Sequence, residues 1–392
     1  MSTNHENTSG RQLIILNQAA NYLTVGFANA FNCRFDEVVL MTGSIHVQGE
    51  ELDHDIQVHM ISRWSERPAW KKAMSYVFGL LTMWWLLFTR YRHHEVLFVS
   101  VPPMAYLLNL FLPHRFSMVI WDIYPDTLKV IGMNESHLIY RLWSALNRLS
   151  FRKAWRVFTI SEAMAESLSQ YIDRRQVIVQ PIWSIFTENC RIRSDRNPFV
   201  LNHGLQEKFV VQYSGNIGLT HNVETLIDVA ECLQGDDSIL FQIIGRGPRQ
   251  PHIEKVVRER NLPNVQLLPF QTDAMFPFSL SAAHLGVVIL HESVSRGSVP
   301  SKVYNQMSFG IPGLYIAGSG SELARYAREF GHAFCFAAED IQGIVDFIRK
   351  LATDEEMHTC LQARAEAASS NFRRENADRF VEYYLEPLEA NR

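Results

Sequence analysis

The sequence predicts an α/β protein built from two doubly wound domains, each a parallel sheet with helices on both faces. Three observations lead to this prediction. The chain has 392 residues, more than one hydrophobic core usually holds. Short apolar runs alternate with helical stretches in both halves, as parallel strands joined by crossover helices require. The alternation breaks once, where 187–204 is polar and irregular.

In the first half, six short runs of β-branched and aromatic residues bounded by polar or turn residues are predicted strands. They lie at 13–16, 38–41, 58–60, 96–99, 118–121 and 157–160. The spacing leaves room for a crossover helix between most of them, so a parallel sheet is expected. We predict an N-terminal domain over 1–190.

The second half repeats the pattern after a predicted linker at 191–207. Predicted strands lie at 209–213, 239–244, 265–268, 285–290 and 312–316, with helices at 223–233 and 303–309 among those between them. We predict a C-terminal domain over 208–372 and a last helix within 373–392 that packs back across the domains. Ligands of such sheets bind at the carboxyl ends of the strands, and two such halves imply a cleft between them.

Composition and charge narrow the class of protein. The net charge of −4 lacks the basic excess typical of nucleic-acid binding. The cysteines are odd in number, widely spaced and without a C-x-x-C pair, which indicates a reducing compartment rather than a disulfide framework or zinc site. They are Cys33, Cys190, Cys232, Cys335 and Cys360. The polar first ten residues lack the apolar stretch of a signal peptide, so a cytosolic protein is expected.

Two stretches of the N-terminal half are candidates for membrane contact. Residues 73–89 carry no charge and are flanked by basic residues, and they fall just short of the roughly 20 residues of a spanning helix. A core or groove helix, an interfacial helix and a spanning helix are all compatible with them. Residues 140–155 are basic and amphipathic, which suits an anionic lipid surface or an ordinary surface helix packed on its own sheet.

Two glycine-containing loops follow predicted strands of the second half. Gly215 and Gly218 lie where a strand runs towards a helix that starts at about 222. Gly245 and Gly247 end the next strand and enclose Arg246. Glycine lets the backbone approach a ligand closely, and a helix N-terminus suits phosphate. A plain strand-to-helix turn and a surface arginine in a tight turn are the alternatives.

A third loop leads into a short predicted helix through Ser301 and Lys302. Ser301 is a candidate N-cap. Lys302 stands at the positive end of the helix dipole, which is unfavourable unless an anion lies opposite. The alternative is a solvent-facing lysine.

Residues 208–370 resemble the donor-binding C-terminal domain of glycosyltransferase family 4. The residues that carry the resemblance are Gly215-Asn216-x-Gly218, Gly245-x-Gly247-Pro248, Leu268-Pro269-Phe270, Pro300-Ser301-Lys302 and Gly310-x-Pro312. The Pro-Ser-Lys form resembles the bacterial branch that builds O-antigen, capsule and exopolysaccharide units. Residues 100–103, 121–125 and 159–162 resemble that branch more loosely, so the resemblance spans nearly the whole chain.

The resemblance implies a GT-B fold, in which two Rossmann-like domains face a central cleft. It also implies a nucleotide-sugar donor, which we expect to be a UDP-sugar. It further implies that the reaction needs no bound cofactor or metal and retains the anomeric configuration. The donor-binding positions it implies are Gly215, Asn216, Gly218, His221, Gly245, Gly247, Phe270, Gln271, Ser301 and Asn305. An aromatic side chain beside a polar one, as in Phe270 and Gln271, is compatible with uracil, although Phe270 is equally compatible with a core position.

The sequence departs from the family at the donor site. Asn216 and His221 stand where the family commonly has an arginine and a lysine, and Gly297 and Asn305 stand where it often has two glutamates. We therefore predict that other cations, Arg246 and Lys302, stabilise the negative charge of the leaving nucleoside diphosphate. Asn305 retains the ability to hydrogen-bond a ribose hydroxyl.

In the first half, Asp122 is the predicted catalytic carboxylate, because it follows a strand and is able to orient or deprotonate an acceptor hydroxyl. Asp126 and Asn17 are predicted to contact the acceptor. A role for the aspartates in capping a turn is the alternative.

Three functions are compatible with these features. The first is transfer of a sugar to a polyprenyl-diphosphate-linked saccharide at the cytosolic face of the inner membrane, as the membrane-contact candidates suggest. The second is a nucleotide-sugar epimerase, which needs no membrane surface. The third is an inactive GT-B module that binds a nucleotide-sugar or a partner enzyme, which the missing glutamates and cations favour.

Overall fold

The computed structural model describes residues 10–64, 69–186, 191–218 and 220–387. Cys190, Leu219, the N-terminal stretch 1–9 and the tail 388–392 lie outside the described residues. The chain divides into two compact units. The first is formed by Met1–Leu128, Met133–Ile185 and Arg374–Arg392, and the second by Lys129–Gly132 and Phe186–Arg373.

The described part of the first unit contains a seven-stranded parallel sheet in the order β3-β2-β1-β4-β5-β6-β7. Its elements are β1 (Gln12–Leu16), α1 (Tyr22–Asn32), β2 (Glu37–Thr42), β3 (Gln57–Met60), α2 (Ala69–Thr89), β4 (Glu95–Val99), β5 (Phe116–Ile120), α3 (Leu138–Lys153), β6 (Arg156–Thr159), α4 (Glu162–Leu168) and β7 (Val177–Val179). The central strands are buried on both faces because helices cover the sheet on each side, which explains their continuous apolar sequences.

The uncharged stretch 73–89 forms most of helix α2, and one side of this helix is exposed. Its buried side includes Met83 and Leu87, whereas its exposed side is apolar and aromatic. The exposed residues are Trp70, Met74, Val77, Phe78, Leu81, Trp84, Trp85 and Phe88. The helix is therefore not a fully buried core helix. Among the residues described, no helix has both the length and the hydropathy required to cross a membrane.

Helix α3 is also exposed on a side that mixes apolar and basic residues. These are Leu138, Ile139, Leu142 and Leu149 with Arg141, Arg148, Arg152 and Lys153. The opposite side carries polar residues that are buried and bonded. Asn147 donates to the backbone oxygen of Tyr124 at 2.6 Å and accepts from the Tyr106 hydroxyl at 2.7 Å. These buried hydrogen bonds fix which side of α3 faces solvent.

The described part of the second unit contains a six-stranded parallel sheet in the order β10-β9-β8-β11-β12-β13. Its elements are α5 (Pro198–Asn202), β8 (Phe209–Asn216), α6 (Glu224–Cys232), β9 (Ile239–Arg246), α7 (Gln250–Glu259), β10 (Val265–Leu268), α8 (Phe276–Ser281), β11 (Leu285–Ile289), α9 (Lys302–Ser308), β12 (Gly313–Ile316), α10 (Glu322–Phe330), β13 (Ala333–Phe336), α11 (Ile341–Thr353) and α12 (Glu355–Ser369). Its largest core cluster joins β8, β9 and β11 to α6 and α11.

The stretch 191–207, predicted to be an irregular linker, packs into the second unit. Asn197 caps helix α5 by accepting from the backbone nitrogen of Phe199 at 2.9 Å, and proline occupies the first helical position. Phe199, Val200 and Leu205 are buried in a cluster with residues of β8 and β9. The polar residues of this stretch therefore start a helix, and its few apolar residues anchor it.

The last helix, α13 (Asn376–Leu385), belongs to the first unit. The Phe380 ring lies 4.6 Å from that of Phe27 in α1 and 4.2 Å from that of Phe158 in β6. The Tyr384 hydroxyl donates to Glu95 at 2.9 Å. The chain thus completes the core of its first unit with its last helix.

Candidate functional site

The second sheet has a point where the strand order reverses, between β8 and β11. In open parallel sheets, ligands bind at the carboxyl ends of the strands at such a point. The backbone nitrogen of His291, after β11, donates to the oxygen of Thr220, after β8, at 2.8 Å. Helix α9, which follows the loop after β11, begins at Lys302. The structure therefore brings the first and third loops singled out in the sequence to one end of the sheet.

The second loop is joined to the first by strand pairing. Gly215 pairs with Gly245, and Asn216 pairs with Arg246. A Cβ on Gly245 would lie 1.9 Å from the backbone oxygen of Gly215, and Gly215 itself has a φ of +145° that other residues rarely adopt. Glycine is therefore required at position 245 because a larger residue would collide with the end of β8, whether or not a ligand binds there.

The side chain of Asn216 occupies the space that two other glycines leave open. A Cβ on Gly218 would lie 2.7 Å from Asn216 Nδ2, and a Cβ on Gly247 would lie 2.8 Å from Asn216 Oδ1. The backbone oxygen of Asn216 accepts from the Tyr213 hydroxyl at 2.6 Å. These three predicted donor-binding residues therefore form one compact group at the end of β8.

Lys302 does not face solvent with its amine. Its Nζ is buried, lies 3.9 Å from the centre of the Tyr213 ring, and has no hydrogen-bond partner among the described residues. A Cβ on Gly215 would lie 2.8 Å from this nitrogen, so the glycine makes room for the amine. Burial lowers the pKa of Lys302 to about 7, because a charged amine is poorly solvated there.

His221 lies beside the same amine. Burial, and secondarily the charge of Lys302, lowers the pKa of His221 to about 3. Its Nδ1 lies 3.0 Å from the Thr220 hydroxyl. His221 is therefore a neutral hydrogen-bonding group at physiological pH and does not replace the family's lysine as a cation.

Arg246 and Phe270 form an exposed pair at the ends of β9 and β10. The guanidinium carbon of Arg246 lies 5.1 Å from the centre of the Phe270 ring. The ring is 54% exposed, so it is not a core residue. Gln271 beside it donates to the backbone oxygen of Pro269 at 2.7 Å. An exposed ring next to a cation is suited to stack on a planar anionic ligand.

Ser301 and Asn305 flank Lys302 at the start of α9. Ser301 occupies the N-cap position, but the prediction that its side chain caps the helix is wrong, since it makes no capping hydrogen bond. Its φ of −59° and ψ of −20° are already helical, whereas a capping side chain needs an extended backbone. Ser301 is exposed and Asn305 is buried.

The three candidates of the first unit follow β1 and β5. Asp122 is exposed just after β5, and its charge adds to burial in raising the pKa of Tyr124. Asp126 accepts from the hydroxyls of Tyr140 and Tyr171, each at 2.7 Å. These hydrogen bonds give Asp126 a structural task, because they tie α3 to the segment after α4.

Asn17 is buried after β1, and its amide is bonded locally. Its Nδ2 donates to the Thr24 hydroxyl at 2.8 Å, and its Oδ1 accepts from the backbone of Ala19 at 2.9 Å. The neighbouring Gln18 donates to the backbone oxygens of Ser62 at 2.9 Å and Ser75 at 2.8 Å. Gln18 thus attaches α2 to the loop after β1.

The contacts that Tyr213 and Gln18 make are not predictable from the local sequence. Tyr213 supplies the ring against which Lys302 packs, and Gln18 holds the exposed helix α2. Tyr213 has the pattern of an ordinary buried strand residue, and no local signal distinguishes Gln18 from other loop residues. Both parts depend on contacts between segments distant in sequence.

A cavity of about 1070 Å³ lies in the second unit along β13 and reaches the ends of β11 and β12. Asn222, His291 and Glu292 line it, but Lys302, Arg246 and Phe270 do not. The candidate site lies at the carboxyl end of the second sheet, where the strand order reverses. The cavity lies next to this site and does not contain its cationic residues. Within the part of the chain that is described, no group of three or more histidine, cysteine or acidic residues has the geometry to hold a metal ion.

Comparison with solved structures identifies the fold as GT-B. HepE of Anabaena, solved in complex with UDP and glucose, matches with a TM-score of 0.71 at 15% sequence identity. The match covers 96% of this chain and 99% of HepE. Two parallel α/β units of the kind described above make up this fold.

Comparison with sequence families agrees with the fold. Residues 195–368 match the family described as "Glycosyl transferases group 1", and this stretch contains every donor-site residue discussed above. The putative colanic acid biosynthesis glycosyl transferase WcaI of Escherichia coli K12 is 27% identical over 228 residues, which cover 57% of this chain and 56% of WcaI. The probable glycosyltransferase WbjE of Pseudomonas aeruginosa is 23% identical over 238 residues, which cover 60% and 58% of the two chains.

Proposed function

We propose that this protein is a glycosyltransferase of the hexosyltransferase type that transfers a sugar from a UDP-sugar to a lipid-linked saccharide in the synthesis of a bacterial surface polysaccharide. The observation that carries the proposal is the group at the end of the second sheet. There, a buried amine and clustered glycines lie at the reversal of strand order, and the exposed Arg246–Phe270 pair lies at the ends of the neighbouring strands β9 and β10. The names of WcaI and WbjE support the same class of activity.

A uridine nucleotide is the donor that these residues suit best. Phe270 offers an exposed ring for the base, while Arg246 and Lys302 offer cations for the diphosphate. HepE, which shares the fold, was solved with UDP and with UDP-glucose. In the bound complex, backbone N–H groups near Gly215, Gly218, Gly245 and Gly247 would face the phosphates, and the Asn216 amide would supply a neutral hydrogen-bonding group. Ser301, Asn305, His221 and Gln271 would supply neutral hydrogen-bonding groups.

The proposed chemistry is displacement of UDP from the sugar. As the bond between the anomeric carbon and the diphosphate breaks, negative charge grows on the leaving oxygen. Lys302 and Arg246 stabilise that charge, which replaces the two cations that the family commonly has at the positions of Asn216 and His221. No metal is required for this step. We propose that the anomeric configuration is retained.

The acceptor belongs to the first unit in this proposal. Asp122, exposed at the end of β5, orients or deprotonates the acceptor hydroxyl. Asn17 and Asp126 act at the acceptor side by holding the loop after β1 and the base of α3.

The exposed helices of the first unit support a lipid-linked acceptor. Tyr76 of α2 donates a hydrogen bond to the backbone oxygen of Pro103, while Trp143 of α3 stacks on Tyr124 and donates to Tyr106 at 2.9 Å. Both helices therefore border the segment 103–124. Exposed aromatic and basic side chains of this kind suit an anionic membrane surface. We propose that they dock the protein to the cytosolic face of the inner membrane, where a polyprenyl-diphosphate-linked saccharide is accessible.

One alternative has an observation in its favour. Asn216 and His221 leave the first loop without a cation, as expected of an inactive module that binds a nucleotide-sugar without turning it over. Lys302 and Arg246 still offer cations for the diphosphate, so turnover, rather than donor binding, distinguishes this alternative from the active enzyme.

The test is a transfer assay with radiolabelled UDP-, GDP- and dTDP-sugars and synthetic polyprenyl-diphosphate saccharides, in the presence of a chelator. Label from a UDP-sugar is expected in the lipid fraction. Asp122→Asn is expected to lower the rate without changing UDP affinity. Binding of UDP without transfer to any acceptor of the panel and without hydrolysis would favour the inactive module.

A further inference from the structure

The amine of Lys302 is buried in the second unit without a counter-charge. Its Nζ is shielded from solvent and has no hydrogen-bond or ion-pair partner among the described residues. A buried ammonium normally has a carboxylate or several acceptors around it, because an unpaired buried charge is costly. The environment of Lys302 thus favours the neutral form.

The groups that face this amine supply no negative charge. From β8 it is faced by the ring of Tyr213, which keeps its proton because burial raises its pKa well above the ordinary value. From the segment after β8 it is faced by neutral His221. The end of the neighbouring strand β9 carries Arg246, and the loop after β11 carries His291, both of which are exposed to solvent. Burial is therefore the effect that lowers the pKa of Lys302.

A bound diphosphate would reverse this balance. Two or more negative charges close to Nζ favour the ammonium form, and charge-assisted hydrogen bonds to phosphate oxygens strengthen that preference. Burial, which disfavours the ammonium in the empty site, strengthens the attraction once the pair has formed.

We propose that, above neutral pH, Lys302 is a neutral amine in the empty site and takes up a proton when a nucleoside diphosphate binds, so that donor binding is coupled to proton uptake. This inference rests on the proposed function. The proton comes from solvent or buffer, its new bond is to the lone pair of Nζ, and the buffer acid becomes its conjugate base. The enzyme thus creates its leaving-group cation only when the donor is present.

The coupling has two measurable consequences above neutral pH. With a pKa of about 7 in the empty site, most of the protein at pH 8 carries the neutral amine, so binding takes up close to one proton. By linkage, the Kd for UDP then rises by up to about tenfold for each pH unit above 7.

The experiment is calorimetric titration of the full chain with UDP at pH 8 in HEPES, Tricine and Tris, buffers that differ in ionisation enthalpy and are not phosphate anions. The slope of binding enthalpy against ionisation enthalpy gives the protons taken up. We expect a slope near one for the wild-type protein and near zero for Lys302→Met, which binds UDP more weakly. Lys302→Arg keeps a permanent charge, so it is also expected to bind without proton uptake.

The outcomes separate this inference from the proposed function. Binding of UDP with a slope near zero in the wild-type protein would overturn the proton uptake and leave the donor site intact. A slope near one that persists in Lys302→Met would overturn the assignment to Lys302. Absence of UDP binding at every pH would overturn the donor site itself, and the inference with it.

Discussion

The burial of Lys302 explains its proposed role in stabilising the leaving diphosphate. It is a buried amine held by a tyrosine ring and a glycine at the carboxyl end of a parallel sheet. A cation there acts on a leaving diphosphate in a site that water screens poorly, where a single charged group has a large effect.

Replacement of Lys302 by methionine is expected to cut turnover on the order of 100-fold or more, because it removes a charge that stabilises the transition state. The thermal midpoint should stay the same or rise, since the variant removes a buried amine that has no described partner. Transfer rates and thermal melts check both. Lys255→Met is the matched control, since Lys255 is an exposed lysine of the same unit. Wild-type turnover in Lys302→Met would remove the residue from the mechanism.

Phe270 tests the proposed contact with the base. Phe270→Ala is expected to raise the Kd for UDP about tenfold, because stacking of a base on an aromatic ring contributes about 1–3 kcal/mol. The melting temperature should not change, because the ring is 54% exposed. Phe270→Tyr keeps the ring and is expected to bind UDP like the wild-type protein. Equal affinities for all three proteins would exclude stacking on this ring.

At the level of single residues, the sequence predicted the polar groups of the candidate site but not their surroundings. The cationic candidates Arg246 and Lys302 and the glycine positions were all visible in local motifs. The burial of Lys302, the tyrosine ring that holds it and the local hydrogen bonds of Asn17 and Asp126 were not. They arise from contacts between segments far apart in the chain, which local patterns do not encode.

Among the helices, α2 and α3 are unusual because each exposes a large apolar surface. Each presents large apolar side chains to solvent, such as Trp85 at 59% and Leu142 at 59% exposure. A contiguous apolar patch on an otherwise ordinary surface marks an interaction site.

Flotation with liposomes containing phosphatidylglycerol tests that surface. At low salt the wild-type protein is expected to float with the liposomes, and Trp85→Glu combined with Leu142→Glu is expected to remain at the bottom, because both changes place charge on the apolar face. Leu201→Glu alters a leucine of the second unit that is 51% exposed, and this variant should float normally. Sedimentation of the wild-type protein without liposomes would contradict membrane docking.

Most strands were predictable because their apolar runs are continuous and bounded by turn residues. β7 and β13 were not predicted, since Val177–Val179 has three residues and Ala333–Phe336 contains a small residue and a cysteine. Helix α5 was not predicted, because it lies in a mostly polar stretch. Its few apolar residues pack against β8 and β9 and so fix where the helix lies.

The stability of the whole molecule is expected to depend on pH, because two histidines are buried in the second unit. Stability in acid therefore tests whether these histidines are buried. Burial, with smaller contributions from His358 and Arg191, lowers the pKa of His284 to about 4. Burial also lowers the pKa of His332 to about 4, and its Nε2 lies 2.7 Å from the Tyr315 hydroxyl. Both residues stay neutral in the folded protein at a pH where the unfolded chain binds protons.

Stability is therefore expected to fall as the pH drops from about 6.5 to 4, because the unfolded chain takes up protons that the folded protein does not. Each unit of pKa difference corresponds to about 1.4 kcal/mol, so the two histidines together lower the free energy of unfolding by about 6 kcal/mol by pH 4. Urea unfolding between pH 7 and 4 measures this slope. His54→Gln changes an exposed histidine and should leave the slope unchanged. A midpoint that is constant over this range would contradict the burial of neutral histidines.

Calorimetric titration of the purified protein with UDP, GDP and dTDP in the presence of a chelator tests the proposed donor site most directly. We expect binding that prefers UDP and is weakened about tenfold or more by Arg246→Ala and by Lys302→Met, since each removes a charged contact to phosphate. Binding of none of the nucleotides, or binding of UDP that neither variant changes, would contradict a donor site at the end of the second sheet.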